Sequence, residues 1–544
     1  MENILVCVAW PYANNSLHLG HIVGSFLPAD IFARYHRMTG NKVLMVSGSD
    51  EHGTPVTIAA DKAGKSPKEI IDHYHNEQVD NINRLGIQFD LYTRTSSPNH
   101  VKVAQEMFLA LNKNGYVIER EVQALYCPKC ARFLPDRYVE GACHFCGANG
   151  ARGDQCDACG KLTDALELKE PYCGICKAVP QIRNTKLHYF KLDKLSSSIE
   201  EYLKDKQFWK SNVLNFTKNW IKEGLRERPI TRDLNWGVPV PMDGCDGKCI
   251  YVWFEAVMGY FSASKEWAQL RHKEDEWKEF WQNPKAKSFY FIGKDNIPFH
   301  TILWPASLIG VGGLNLPYNV PANEHLTFNG EKFSKSKGIG INVPDCLAEF
   351  DPDTIRYYLT AIMPESADTD FSWDDFVRRN NTELVGVFGN LAQRVMSFAK
   401  SKYGKVVKKE LSGENLGLIK KADETAKKMS EHIEACEFRA ALRELFALAH
   451  EGNQWWDKSA PWKVFKEDKG KAAEIVSAGL RLSKALSVLC APYLPFTSQR
   501  LWEGLGGKGS VHEIGWFDGT KDFEKEIPLE KLPQLFSKIE REEK

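Results

Sequence analysis

Eight of the fourteen cysteines fall in four Cys-x2-Cys pairs between Cys127 and Cys176, and this spacing constrains the fold more than any other feature of the chain. Two thiolates separated by two residues can chelate one edge of a tetrahedral ion at about 2.3 Å per sulfur, and two such pairs close a four-thiolate site. Eight thiolates therefore provide for one or two Zn2+ ions, in a stretch rich in Gly, Cys and Asp and poor in periodic apolar residues. In a chain of 544 residues such clustering points to metal rather than to disulfides. With no ligand position left for water, the metal is expected to be structural. Cys245 and Cys249 have x3 spacing and no partner pair nearby, so they stay unassigned. The other cysteines are scattered and read as packing residues.

Around that module the pattern is one of alternating strands and helices. Residues 3–10 (NILVCVAW) form a short, nearly continuous apolar run, which suits a strand buried on both faces of a parallel sheet. Pro11 and the Asn14-Asn15-Ser16 turn break it, and a helical pattern runs from about Leu17 to Met38 with Pro28 as a kink. Lys42–Ser47 (KVLMVS) reads as a second buried strand, and Ser66-Pro67-Lys68-Glu69 opens a capped helix. Strand, turn, helix, strand and helix at this spacing make a βαβ unit, so an α/β fold with a doubly wound parallel, Rossmann-like sheet is expected. From about Asp374 a 3.6-residue period dominates, which predicts a separate C-terminal α-helical bundle.

The expected organisation is a nucleotide-binding fold, first half, over 1–121 and a zinc-knuckle insertion over 122–182. A connective remainder with the second half of the fold then covers 183–325, a basic-loop and linking segment 326–373, and the helical domain 374–544. Lysine plus arginine and aspartate plus glutamate both total 71, a balance that excludes a histone-like coating of nucleic acid by bulk charge. No stretch of eighteen apolar residues spans a bilayer, and Met1-Glu2 leads into the first strand without a basic head, so a cytoplasmic protein with no membrane partner is expected.

Two segments carry phosphate chemistry. In Pro11–His21 (PYANNSLHLGH), His18 and His21 flank Gly20 at the first turn of a helix, where free N–H groups and partial positive charge favour phosphate. Gly20 admits close backbone approach, and two imidazoles can donate to phosphate oxygens; by themselves such histidines read equally as packed residues. In Gly330–Gly338 (GEKFSKSKG), Lys332, Lys335 and Lys337 stand among serines in a loop suited to polyphosphate, or to a solvated charge run.

Together these segments resemble the paired HIGH and KMSKS signatures of class I aminoacyl-tRNA synthetases, as His18-Leu19-Gly20-His21 and Lys332-Phe333-Ser334-Lys335-Ser336, in the expected order. Within that class PYANNSLHLGH, SGSDEHGTP (47–55), YVWFEAVMGY (251–260), FIGKDNIPFH (291–300) and the four-knuckle insertion are similar to the methionyl-tRNA synthetase family, over nearly the whole chain. Phe333 replaces the methionine of the second signature, and the charge-bearing lysines are kept.

The resemblance implies a ligase that activates L-methionine with ATP and Mg2+ to methionyl-adenylate. It then esterifies the 2′-hydroxyl at the 3′ end of tRNA(Met), initiator and elongator. His18, Gly20 and His21 would contact the ATP phosphates, with Lys332, Lys335 and Ser336 on the departing pyrophosphate. Gly293 and Asp295 would sit at the ribose and adenine side. Asp50 would meet the methionine ammonium, and Tyr12, Trp253, Tyr260 and His300 would box the thioether with Ala9, Trp10, Ala256 and Asn296 beside them. Trp10, Val257 and Asn296 depart from the bacterial pattern of the family. Without the resemblance these aromatics read as core, and Arg232 reads as an anchor of substrate or of the knuckle module, or as a surface arginine.

In the helical domain Asn390 and Arg394 stand four residues apart on one helix face, and Trp462 can stack on a base. These match the family's readers of a CAU anticodon. Lys400, Lys402, Lys405, Lys408 and Lys409 offer contacts to phosphate or a solvated face. The family's single-zinc knuckle matches Cys143, Cys146, Cys156 and Cys159, which leaves Cys127, Cys130, Cys173 and Cys176 as a nested outer site. A synthetase for leucine, isoleucine or valine would usually carry a larger editing insertion. A catalytically silent tRNA-binding paralogue would not need both histidines and both signature lysines. No residue identifies a multi-synthetase or other protein partner, and the family's cyclisation of homocysteine leaves no separate mark. The chain ends on a charged, helix-like FSKIEREEK and reads as a monomeric or shortened core, without the dimerising appendix of some members.

Overall fold

The computed structural model describes all residues except 154, 155, 157, 160–162, 333–339 and 541–544, together with the side chains of Asp136 and Lys332. A five-stranded sheet organises the catalytic half: β1 (Asn3–Val8), β2 (Lys42–Ser49), β3 (Leu91–Arg94), β4 (Lys287–Gly293) and β5 (Ala322–Asn323), in spatial order β5-β4-β1-β2-β3. Every neighbouring pair is parallel, with Val6 opposite both Phe289 and Met45. The expected doubly wound sheet is thus present, and its chain order reverses between β1 and β4.

The two faces of β1 explain its unbroken apolar run. Ile4, Val6 and Val8 pack into one core with Ile22, Phe26 and Phe32, whereas Leu5 and Cys7 enter another with Phe108, Tyr260 and Trp304. Period-2 alternation cannot appear in a strand whose two faces are both buried.

The helix after β1 runs through Leu19–His21, a π-helical Ile22–Phe26 and Leu27–Met38. Pro28 lies in the first turn of the last part, and the widened turn upstream takes the place of a sharp kink there. Asn323 donates its side-chain amide to the Val23 carbonyl at 3.0 Å, so the widened turn is tied to β5. Ser66 and Glu69 form the expected reciprocal cap of Pro67–Arg84.

The cysteine-rich module hangs on a long antiparallel hairpin, Val117–Cys127 against Gln181–Phe190, and carries its own small three-stranded sheet. From Trp373 to Gly504 the chain is mainly helical, and four helices, Asn390–Tyr403, Gly413–Glu434, Phe438–Ser459 and Lys469–Cys490, form the bundle. The terminal FSKIEREEK is not a helix over its described residues. It runs extended along the bundle, with Asn380 and Asn381 donating to the Ser537 and Ile539 carbonyls. Buried Leu535 and Phe536 anchor that strap, a packing contact that local charge pattern does not reveal.

A buried ionic strut joins the two halves. Arg356, fully buried, donates to Asp30 at 2.7 Å, to the Leu85 carbonyl, and to the Pro492 and Tyr493 carbonyls of the bundle. Among the described residues no helix is long and apolar enough to cross a membrane.

Candidate active site

In an open parallel sheet, ligands bind outside the carboxyl ends of the strands where the chain order reverses. Here that crevice lies between the end of β1, which leads into Ala9-Trp10-Pro11-Tyr12, and the end of β4, which leads into Gly293-Lys294-Asp295-Asn296. Ala9 donates its N–H to the Phe291 carbonyl at 3.0 Å, so the two strand ends stay in register as they leave the sheet. A Cβ added to Gly293 would meet no protein atom within 4 Å, so the lip of β4 opens on free space rather than on a packed neighbour.

His18 caps Leu19–His21 in extended backbone conformation, and its N–H donates to His21 Nδ1 at 3.2 Å. The two imidazoles stack with centroids 3.8 Å apart, half-buried at the helix start. Lys332 ends a short strand, Glu331–Lys332; Lys335 and Ser336 lie outside the described residues. Asp295 is exposed and accepts from His325 at 2.9 Å, while Lys294 bridges Glu324 and Asp368 at 2.7 Å each.

On the other side of the switch point Asp50 is buried and pairs by backbone with Pro11 and Ala13, at 2.8 Å in both directions. Burial raises its carboxyl well above the ordinary value, the negative charge of Glu255 adds to the rise, and only the His52 N–H opposes it. The causes of this rise are burial and like charge, which an incoming ammonium would offset.

The Trp253 indole N–H donates to the Tyr12 hydroxyl. Burial lifts the Tyr12 phenol well above 10, Asp50 lifts it further, and the Arg137 charge acts against both. His300 Nδ1 faces the Asn296 carbonyl at 2.9 Å and must therefore carry the proton there. Nε2 then accepts from the Tyr260 hydroxyl at 2.8 Å. Burial holds His300 neutral, with its value lowered to about 4. Trp10 lies edge-on to Tyr260 and is flanked by Gly48 and Gly259, where a Cβ would come within 2.4 and 2.7 Å of the indole. Ala256 starts the turn that carries Tyr260. The residues expected around a thioether thus form two pairs, Tyr12 with Trp253 where β1 ends and Tyr260 with His300 beyond β4.

Sequence reading misses a buried group behind this wall. Glu255 is fully buried and takes His52 Nδ1 on one oxygen, at 2.8 Å, and His100 Nε2 on the other. A second buried carboxylate, Glu51, binds Arg94 at 2.8 Å, and the carbonyl of Glu51 accepts from Trp236 at 2.7 Å. The acidic and histidine-rich motif around Asp50 is the only local sign of either network.

The eight paired cysteines gather in two groups of four, Cys127/130/173/176 and Cys143/146/156/159, with all sulfurs of a group within 4.8 Å of one another. Opposed sulfurs stand 3.4 and 3.9 Å apart in the first group and 3.9 and 3.7 Å apart in the second. The edge of a zinc tetrathiolate with 2.3 Å bonds is about 3.8 Å, whereas a disulfide needs about 2.05 Å. Both clusters could hold zinc.

On the bundle, Asn390 donates to Asn453 at 3.2 Å, and Arg394 pairs with Asp457 while its guanidinium lies 5.8 Å from the Trp462 ring centroid. Trp462 is 39% exposed, so this group forms one accessible patch. Asn453 and Asp457, four residues apart on the facing helix, hold the two expected readers; sequence reading does not find them.

Comparison with known proteins agrees with the fold and the motifs. A family profile described as tRNA synthetases class I (M) matches residues 4–396, and one described as the anticodon binding domain of methionyl tRNA ligase matches 408–544. A methionine–tRNA ligase of Dehalococcoides mccartyi strain 195 is 49% identical over 95% of this chain and 93% of its own. That of Thermoplasma acidophilum is 44% identical over 97% and 98%. A solved Mycobacterium tuberculosis methionyl-tRNA synthetase bound by methionyl-adenylate shares the fold, with a TM-score of 0.80 at 22% identity, covering 98% of this chain and all of that one.

Proposed function

The chain belongs to the methionyl family of class I tRNA synthetases and is a methionine–tRNA ligase, and from that membership we propose how its residues divide the work. One observation supports the division: the end of β1 leads to Tyr12, which pairs with Asp50 and Trp253, and the end of β4 leads to Asn296 and His300, so both lips of the switch-point crevice carry expected methionine contacts.

Asp50 takes the methionine ammonium, which would offset the burial and like charge that raise its carboxyl. The thioether lies against the box, with Ala9, Trp10, Ala256 and Asn296 beside it. Neutral His300, locked by Asn296 and Tyr260, brings no charge to an apolar side chain. The methionine carboxylate is already ionised, so it attacks the α-phosphorus of ATP without a general base; a P–O bond forms as pyrophosphate leaves. Catalysis then rests on positioning and on charge stabilisation. His18, Gly20 and His21 serve the phosphates at the helix start, Lys332, Lys335 and Ser336 the departing pyrophosphate, and Gly293 and Asp295 the nucleoside. Mg2+ accompanies ATP and neutralises phosphate charge.

In the second step the 2′-hydroxyl of the terminal adenosine of tRNA(Met), initiator or elongator, attacks the activated carbonyl and AMP leaves. Asn390, Arg394 and Trp462 read the CAU anticodon on unstacked bases. Zn2+ in the two thiolate clusters would fold the insertion, and the cytoplasm is the compartment where such thiols stay reduced. The test is charging of transcripts: a tRNA with a CAU anticodon should accept methionine, and one altered at the anticodon should lose most of that. Equal charging of both would remove the anticodon from the reading.

A further inference from the structure

Three buried side chains next to the residues expected at methionine have no role in the division of work above. Glu255 ends the short helix Val252–Glu255, two residues after Trp253 and five before Tyr260. His52 follows Asp50 by two residues, and His100 lies in the first turn of the helix Pro98–Lys113. Glu255 and His100 are wholly buried, and His52 is 5% exposed.

One carboxylate holds both histidines. Glu255 Oε1 accepts from His52 Nδ1 at 2.8 Å, and Oε2 accepts from His100 Nε2. The Ser262 hydroxyl gives its only proton to the Gly259 carbonyl at 3.0 Å, so it accepts from His100 Nδ1, 2.9 Å away. His100 therefore donates from both ring nitrogens. Burial alone would raise the Glu255 carboxyl. The charges and hydrogen bonds of the two histidines outweigh burial and hold the group below its ordinary range, as a carboxylate. Asn99, beside His100, braces the same junction by donating its side-chain amide to the Ser262 carbonyl at 2.8 Å.

Each arm of this group ends at a residue expected to meet methionine. The His52 backbone N–H points to the Asp50 carboxylate at 3.5 Å, so the residue whose ring Glu255 clamps also touches the expected ammonium partner. On the other arm, Gly259 and Ser262 belong to the helix Gly259–Leu270 that carries Tyr260. The His100 ring lies 6.2 Å from Trp10, which is edge-on to Tyr260. His52 and Glu255 are 203 residues apart, so nothing in the local chain sets these walls against one another. We propose that Glu255 is a positioning residue of the methionine site: through His52 it sets Asp50, and through His100 and Ser262 it sets the turn that carries Tyr260. A buried ionic group adds little stability over apolar packing of similar volume, and what its bonds supply here is direction. This inference rests on the ligase reading.

Methionine-dependent ATP–pyrophosphate exchange by the full chain tests it. Glu255→Gln removes the charge from both bonds. It should raise the methionine KM about ten-fold, the worth of one charge-assisted hydrogen bond, while the ATP KM stays within about two-fold of wild type. Glu255→Asp keeps the charge and should recover part of the loss. Ser262→Ala leaves the carboxylate in place and removes the acceptor of His100 Nδ1, and it should raise the methionine KM about three-fold. It decides the matter if the glutamine variant does not fold. An unchanged methionine KM in the folded variants, whatever happens to kcat, would make the group a strut and overturn the inference. So would equal rises in the methionine and ATP KM values. Absence of methionine-dependent exchange in the wild type would instead bring down the ligase reading and the inference with it.

Discussion

Leu19 donates its backbone N–H to the Ile341 carbonyl at 3.0 Å, and this bond joins the histidine signature to the segment that follows the lysine signature. Val343 returns a bond to the Leu17 carbonyl at 2.8 Å, and His18 pairs with Asn342 between them. Residues more than three hundred apart in sequence are thus held side by side through an isolated antiparallel bridge. The segment that follows the basic loop is fixed to the histidine turn.

On the proposed division of work this fixed segment brings the lysine signature to the ATP phosphates. Lys335→Ala should lower the rate of methionine activation by about a hundred-fold or more, the usual cost of removing one preorganised charge contact, with an unchanged melting curve. Near-normal exchange kinetics would remove Lys335 from the phosphates.

The anticodon patch should separate from the chemistry. Trp462→Ala should reduce kcat/KM for tRNA charging by about ten-fold, the worth of one base stack, and leave tRNA-free exchange intact. Asp457→Asn, which releases Arg394, should weaken charging in the same direction. Equal losses in charging and in exchange would argue for a folding defect instead.

Neutral His300 has a thermodynamic signature. Its value of about 4 in the folded chain compares with about 6.5 when unfolded, so between these limits the unfolded chain binds the extra proton. Stability therefore rises with pH through that window, and is lost as pH falls from 6.5 towards 4, by about 1.4 kcal/mol per pH unit from this residue. Between pH 7 and 5 the melting temperature of the wild type should fall more than that of His300→Gln. An equal fall would mean that His300 is not held neutral.

Two zinc ions per chain are expected from elemental analysis, with one left in a Cys146→Ser/Cys159→Ser variant. A wild-type content of zero would overturn the reading of the thiolate clusters.

Arg356→Met should destabilise the chain by about 3–5 kcal/mol, because Asp30 loses one of its two buried guanidinium partners and three carbonyls lose a donor. Chemical denaturation would show it, and a change under about 1 kcal/mol would deny the strut its role.

What is legible in the sequence is what is encoded locally. The strand that leads into Pro11–His21, the cap at Ser66 and the four Cys-x2-Cys pairs each follow from spacing within a few tens of residues, while the nesting of those pairs comes through family resemblance. The aromatic box is legible only through family resemblance, since Tyr12 and Trp253 meet 241 residues apart. The supports are hidden for the same reason: His52 and His100 reach Glu255 across 203 and 155 residues, and Asn453 lies 63 residues from Asn390. None of these supports carries a periodic or spacing signal. The terminal strap misleads because its charges suggest a solvated helix, whereas its two buried apolar residues decide its path.

The most direct measurement is amino-acid-dependent ATP–pyrophosphate exchange by the purified protein. The geometry around Asp50, Tyr12, Trp253, Tyr260 and His300 predicts exchange with methionine and little with leucine, isoleucine or valine. Exchange with one of those three but not with methionine would contradict the assignment of the box, and exchange with no amino acid would contradict the catalytic reading itself.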